Sequence, residues 1–215
     1  MNELLAVISK RYPLSEIALD DMKTVKAAGM TFMIRAFYAE GLGHVSVMSA
    51  KGFLGLMKMD TLIINPLEKD LPLYSYDRIL AMGNDTLIIE VYDTLTGPCD
   101  LHSMQKVKEM YSHLPEHVLG EHWYDSIKLP ESVSVKEKSK SNTRFDAYTK
   151  EHLKAYFRAK PGSDTVDAEK KKEKASVYVE GLLKNGGPST SVFLKHFGEE
   201  KTAVLFRKYL FGTEK

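Results

Sequence analysis

One cysteine, Cys99, is present in the 215 residues. An intrachain disulfide is therefore excluded, and nothing in the sequence demands an oxidising compartment. Neither sign of charge is in excess: the formal net charge is +1. The strongly basic face of a dedicated nucleic-acid binder is missing. No apolar window has the length needed to cross a bilayer. Residues 1–19 contain acids and a proline but no apolar block with a cleavage signal, so they do not read as a signal peptide. The expectation is a cytoplasmic chain folding as a single domain over residues 1–215, with no nucleic-acid and no membrane partner.

The short motifs of nucleotide and nucleophile chemistry are also missing. There is no GxSxG, HExxH or GxGxxG, and Gly186-Gly187-Pro188-Ser189-Thr190 lacks the lysine of a P-loop. His113, His117 and His122 lie close in sequence, yet Pro115 between the first two opposes the helix that would align them. Cys99 has no second cysteine with which to build a tetrahedral site. No metal site is expected.

What is present is a strand-rich middle. The segments 31–39, 44–48, 57–64, 78–82 and 86–92 are dominated by Ile, Val, Phe and Tyr and separated by Gly-, Asn- and Pro-containing connectors. Those connectors leave no room for crossover helices, which predicts antiparallel pairing. Gly83-Asn84 reads as a tight turn. Before the strands, Leu14, Ile17, Met22 and Val25 suggest a first helix stopped at Gly29.

The second half reads as helical. Leu101, Met104, Val107 and Tyr111 form one stripe, and Thr143 to Asp146 resembles a capping box feeding Phe145, Tyr148, His152 and Tyr156. Ala175, Tyr178 and Leu182 suggest a further helix closed by Asn185-Gly186-Gly187. Two short terminal helices, hinged at Gly198, follow. Residues 130–138 offer an extra edge strand. A sheet followed by helices is an α+β arrangement, most simply a sheet covered by helices on its faces.

The chemistry-bearing candidates are carboxylates. Asp77 follows Leu71-Pro72-Leu73-Tyr74-Ser75-Tyr76, where the proline stiffens a turn leading into a strand and two aromatics flank the acid. It reads as a backbone-bonded strand-edge carboxylate, a solvated charge, or a functional acid whose pKa burial would raise. Glu90 and Asp93 fall on opposite sides of their strand by the two-residue period, so at most one shares a cavity with Asp77. The run Lys170-Lys171-Lys172 and Lys174 reads as a solvated helix start or a docking patch.

Leu71 to Asp77 resembles the segment of ferredoxin-dependent bilin reductases that reads Leu-Pro-Leu-Phe-Gly-x-Asp, and Leu87 to Asp93 resembles their following strand. Tyr178 to Asn185, Ser189 to Ser191, Leu194 to Glu199, Ala203 and Tyr209-Leu210-Phe211 follow the order of that family's closing helices. The resemblance spans residues 31–93 and 143–211, and red chlorophyll catabolite reductases are similar to the same family. It implies a three-layer α/β/α sandwich with a central antiparallel sheet, holding an open-chain tetrapyrrole between sheet and C-terminal helices. It also implies electrons from ferredoxin or a similar small acidic carrier, no tightly bound cofactor, and protons from side chains.

By the resemblance the family's aspartate maps onto Asp77. The family's histidine and glutamate map near Asp60 and Met48, where this chain departs from the pattern. Asp77 is then the first expected proton donor and Asp60 the second, sharing a proton by like-charge repulsion. Tyr74, Tyr76, Glu90 and Asn185 are the expected substrate-pocket residues. Lys150, Lys154, Arg158, Lys170 to Lys174 and Lys195 are the expected docking surface for the electron carrier. The missing histidine and glutamate keep a second reading open: a non-catalytic tetrapyrrole- or haem-binding protein, with His44, His152 or His196 as axial ligand. A third is an interaction module whose ancestral pocket has filled with large side chains.

Overall fold

The computed structural model describes residues 1–138, 142–187 and 189–214. The chain begins with helix α1 (Asn2–Ser9), whose Leu4, Leu5 and Ile8 are buried at helical spacing. The helix expected over residues 15–29 does not form. Residues Leu14–Ile17 and Thr24–Ala27 are instead strands β1 and β2, joined by a short 3₁₀ turn at Asp20–Lys23. The physical reason is the interval of five between Ile17 and Met22, which breaks the helical stripe. Thr24 to Ala27 alternates exposed and buried, the two-residue period of a half-covered strand.

The long strands follow: β3 (Met30–Ala39), β4 (Gly43–Gly52), β5 (Met57–Asn65), β6 (Leu73–Ala81) and β7 (Asn84–Tyr92). Each pairs antiparallel with the next. The segment read as a turn leading to Asp77 is itself strand, because β6 begins at Leu73 and places Asp77 in mid-strand. The β6–β7 turn is Met82-Gly83, one residue earlier than expected, with φ of 50° and 74°. Two consecutive positive φ values suit the twist of a two-residue hairpin.

Beyond the meander come β8 (Cys99–Asp100), α2 (His102–Met110) and β9 (Val133–Lys138), then α3 (Thr143–Tyr156), β10 (Lys160–Pro161), α4 (Ala168–Asn185) and α5 (Thr190–Val204). A π-helical turn, Leu205–Leu210, continues α5. Strand β9 is the expected edge strand, and the eight-stranded sheet runs β1-β3-β4-β5-β6-β7-β9, with β2 also on β3. The cap of α3 is Asn142, whose side chain accepts from the Arg144 N–H, one position before the expected Thr143. Gly198 lies inside α5 with φ 76° and ψ −178°, so the expected hinge is present.

Alternation sends the two sets of strand side chains into two separate cores. Val45, Val47, Leu62, Ile64 and Leu87 pack with Leu4, Met104 and Phe145 beneath α1, α2 and α3. Ile34, Ala36, Met48 and Ile63 pack with Tyr178, Leu182, Phe193 and Phe206 beneath α4, α5 and the π turn. The result is a three-layer α/β/α sandwich around an antiparallel sheet. Each fully buried Leu, Ile or Phe contributes about 1.5–3 kcal/mol. No described helix is long and apolar enough to cross a membrane.

An ion pair pins the first helical layer to the sheet. Arg78 (7 % exposed) binds Asp85 (0 % exposed), with one Nη–Oδ2 contact at 2.6 Å. The same guanidinium donates to the Asn142 carbonyl at 2.9 Å and lies over the Phe145 ring. Asp85 accepts from the Asn142 N–H at 2.8 Å, so both partners reach the N-terminus of α3. Removing one partner of such a pair strands the other in the interior. Asp85→Ala is therefore expected to lose about 3–5 kcal/mol of stability in urea unfolding. The double change Arg78→Met with Asp85→Leu is expected to recover most of that loss.

Candidate functional site

The face of the sheet beneath α4 and α5 carries even positions of β4 and β7 and odd positions of β5 and β6. Register then sets Met48, Thr61, Asp77 and Ile88 in one cross-strand row, and Ser46, Ile63, Ser75 and Glu90 in the next. The Thr61 hydroxyl donates to Asp77 Oδ1. Tyr92, two residues beyond Glu90, donates its hydroxyl to Glu90 Oε2 at 2.6 Å.

Met48, Thr61, Ile63, Ser75, Asp77, Glu90 and Tyr92 floor a cavity of about 50 Å³ between the sheet and the C-terminal helices. Its roof is Tyr178 and Leu182 of α4, Phe193 of α5, Phe206 of the π turn, and Leu210-Phe211. The Tyr92 and Tyr178 rings lie 4.4 Å apart, and Tyr124 meets Tyr92 edge-on at 5.5 Å. A space of this size holds a few waters.

The roof is fastened from below by side chains of the sheet. His44 Nε2 donates to the Tyr209 carbonyl at 2.8 Å, Ser46 Oγ to Leu210 at 2.8 Å, and Asn65 Nδ2 to Phe211 at 2.7 Å. The carbonyl acceptor fixes the Nε2–H tautomer of His44, and burial pushes that imidazole down to about 4, so the ring is neutral near pH 7.

Asp77 has the opposite displacement. Burial pushes its carboxyl up to about 6, and the Glu90 carboxylate adds to the rise while the Thr61 hydroxyl opposes it. A fraction of Asp77 therefore keeps its proton near neutral pH. Such a group can give a proton to a bound ligand and then hold the charge that remains.

Of the residues expected in the site, the structure brings together Asp77 and Glu90. Asp60 faces the other helical layer, opposite Arg78 in the register, and accepts from Ser49 Oγ. The side chain facing Asp77 from β5 is Thr61, one residue later, so Asp60 and Asp77 do not share a proton. Tyr74 and Tyr76 also point to the other layer, where Tyr74 is fully buried 4.9 Å from Tyr156. Asn185 is exposed at the end of α4 and does not border the cavity. The cause is common to the three strand residues: one step along a strand exchanges faces.

No histidine borders the cavity among the described residues. His152 is buried in the first helical layer, its Nε2 3.1 Å from the Glu131 carbonyl, and His196 is exposed on α5. No group of three or more His, Cys, Asp or Glu residues is arranged to hold a metal ion among the described residues. In the basic run, Lys171 is 0 % exposed and bonds to Asp70 and to the Leu71 carbonyl, so it is no part of a docking surface. Lys150 and Lys154 pair with Glu3 and Glu151.

Sequence reasoning missed Thr61, Tyr92 and the fastening set His44, Ser46 and Asn65. Counting by twos from Asp77 across the Met82-Gly83 hairpin would have found Glu90 and Tyr92 on one face. No local signal marks the fastening residues, whose partners lie 146 to 165 residues away in the chain.

No protein-family model and no curated protein matches this sequence. A solved structure does share the fold: phytochromobilin synthase from tomato, crystallised in complex with biliverdin. The TM-score is 0.72 at 13 % identity, covering 99 % of this chain and 81 % of that one. At this identity the likeness is one of fold.

The raised Asp77 carboxyl has a consequence for stability. The native state holds more protons than the unfolded chain between about pH 4 and about 6, so stability falls as pH rises through that window. Asp77→Asn removes this slope. Urea unfolding is expected to find the variant more stable than wild type at pH 8, by up to about 3 kcal/mol. The two are expected to converge at pH 4.

Proposed function

We propose that the cavity between sheet and C-terminal helices takes a linear tetrapyrrole, which the protein reduces with electrons from ferredoxin or a similar small acidic carrier. Asp77 is the proton donor in this reading. The observation that carries it is a carboxyl held near pH 6 on the floor of an aromatic-walled cavity. Reducing one double bond of a conjugated bilin consumes two electrons and two protons. The intermediates are radical or anionic, and an acid with a pKa close to ambient pH is matched to protonating them. Aromatic and aliphatic walls suit a flat conjugated ligand. Support also comes from the fold shared with a protein crystallised with biliverdin, and from the resemblance over residues 31–93 and 143–211. The chemistry needs no cofactor of the protein's own.

A tetrapyrrole is several times larger than the cavity of about 50 Å³, so binding in this reading requires the roof to swing outward. The chain has left-handed joints where such a movement needs them: Gly186 and Ser189 before α5, and Gly198 within it, at φ of 83°, 61° and 76°. The size of the cavity also favours one competing reading, an interaction module whose pocket is filled by Tyr92, Tyr178, Phe193, Phe206 and Phe211.

Anaerobic titration with biliverdin, followed by addition of reduced ferredoxin, separates the two. A shifted bilin absorbance and its electron-dependent loss are expected. Absence of any bound-bilin spectrum would leave the filled-pocket reading standing. Asp77→Asn is expected to bind biliverdin as wild type does while reduction slows by about 10²–10⁴-fold. Equal turnover rates would remove Asp77 from the mechanism.

A further inference from the structure

Three hairpin connections meet at one end of the sheet. They join β2 to β3 at Ala28-Gly29, β4 to β5 at residues 53–56, and β6 to β7 at Met82-Gly83. The register sets them side by side, since Met30, Gly52, Met57 and Ala81 form one cross-strand row. A Cβ on Gly29 would stand 3.8 Å from the Phe53 ring, and Leu56 and Gly83 border one shared recess. Turn positions with positive φ normally go to Gly, Asn or Asp. Here Ala28, Phe53, Leu54 and Met82 take them, at φ of 51°, 51°, 56° and 50°. A bulky side chain in that region is strained, and these also stand in water. Leu54 is fully exposed, Met82 is 93 % exposed, Leu56 72 % and Phe53 56 %.

The charge around these tips is of one sign. Lys26, Thr31, Lys51 and Lys58 form the adjacent row, in which Lys51 and Lys58 stand directly opposite each other. Like charges placed so repel. Lys138 pairs with Asn84 beside the Met82 turn. All four lysines are exposed, and Lys26, Lys51 and Lys58 enter no salt bridge among the described residues. Residues 26–31, 51–58 and 80–84 contain no Asp or Glu. The carboxylates next along these strands are occupied within the fold: Asp60 accepts from Ser49, Asp85 from Arg78, and Glu137 from Arg144.

We propose that this end of the sheet inserts into the surface of an anionic lipid bilayer. Phe53, Leu54, Leu56 and Met82 enter below the headgroups, and Lys26, Lys51, Lys58 and Lys138 lie against them. Exposed apolar side chains bordered by cations are what interfacial contact uses, and lysines at that level are drawn to anionic headgroups. The same headgroups relieve the repulsion between Lys51 and Lys58. A second copy of the chain fits less well. It would bring lysine against lysine, and a handful of loop-tip residues falls short of the roughly 20–30 per side that a stable protein interface uses. The expectation of no membrane partner rested on the lack of a spanning segment, and an interfacial contact needs none. The proposal is independent of the tetrapyrrole reading, since none of these residues borders the central cavity.

Co-sedimentation of the full chain with lipid vesicles tests the insertion. Vesicles of equal parts phosphatidylserine and phosphatidylcholine are expected to carry the protein down at low salt, and phosphatidylcholine vesicles to leave it in solution. Lys51→Gln with Lys58→Gln is expected to weaken binding about fivefold for each charge removed. Leu54→Asp with Met82→Asp is expected to abolish it. Both positions are exposed, and urea unfolding checks that the variants keep the fold. Unchanged vesicle binding in the folded Leu54–Met82 variant would overturn insertion and leave adsorption by charge alone. Failure of the wild-type chain to bind the phosphatidylserine vesicles would overturn the proposal outright. In that event, a dimer in light scattering that Leu54→Asp disperses would assign the tips to self-association. Retention on immobilised polyglutamate would instead assign them to an acidic protein.

Discussion

Three side chains of the sheet hold the second helical layer in place, and the cavity exists at its observed height because of them. A helix end leaves carbonyls without intrahelical donors, and a buried one left unpaired costs about 1–3 kcal/mol. Here Tyr209, Leu210 and Phe211 at the end of the π turn are met by His44, Ser46 and Asn65. The approach is so close that Gly212, at φ 64°, would place a Cβ 2.5 Å from the His44 ring. A side chain there would lift the segment from the sheet. The fastening is therefore both polar and steric, and it lies at one end of the roof.

Beneath that roof, the sheet separates its acids by face. Asp60 and Asp77 sit on neighbouring strands, yet their side chains enter different layers, one among Arg78 and Ser49 and the other beside Thr61 and Glu90. The layer under α3 balances its buried charge with Arg78 and Asp85. The layer under α4 keeps two carboxyls, Asp77 and Glu90, facing one cavity, with no Lys or Arg lining it among the described residues. Desolvation by burial, with the like charge of Glu90 adding to it, is what holds a proton on Asp77.

Much of this architecture is legible in the sequence, for identifiable reasons. The meander follows from β-branched and aromatic runs with short connectors, and α3 and α4 from stripes that the structure buries almost without exception. Asp77 stands out because it ends a segment of unusual aromatic content. Where the reading fails, it fails on register. Assigning Leu71 to Tyr76 to a turn started β6 late and lost the parity that separates Tyr74, Tyr76 and Asp60 from Asp77. The first helix fails for a different reason: four apolar residues fit two periods, and only pairing with β3 decides between them. The fastening residues belong to contacts so distant in the chain that no local pattern contains them.

The unbroken order β3-β4-β5-β6-β7 bears on how the molecule assembles in time. Each of those strands meets its neighbour through a connector of a few residues, so the loop-closure cost of building the floor is small. The roof is otherwise: α4, α5 and the π turn are far along the chain from β4 and β5 and gain their contacts only after a long loop closes. Assembly thus favours an open-faced sheet before a lidded one. During that interval Asp77, Glu90 and Tyr92 lie on an uncovered surface, with the hydration of ordinary strand residues. The proton affinity that distinguishes Asp77 is consequently acquired late, as a property of closure.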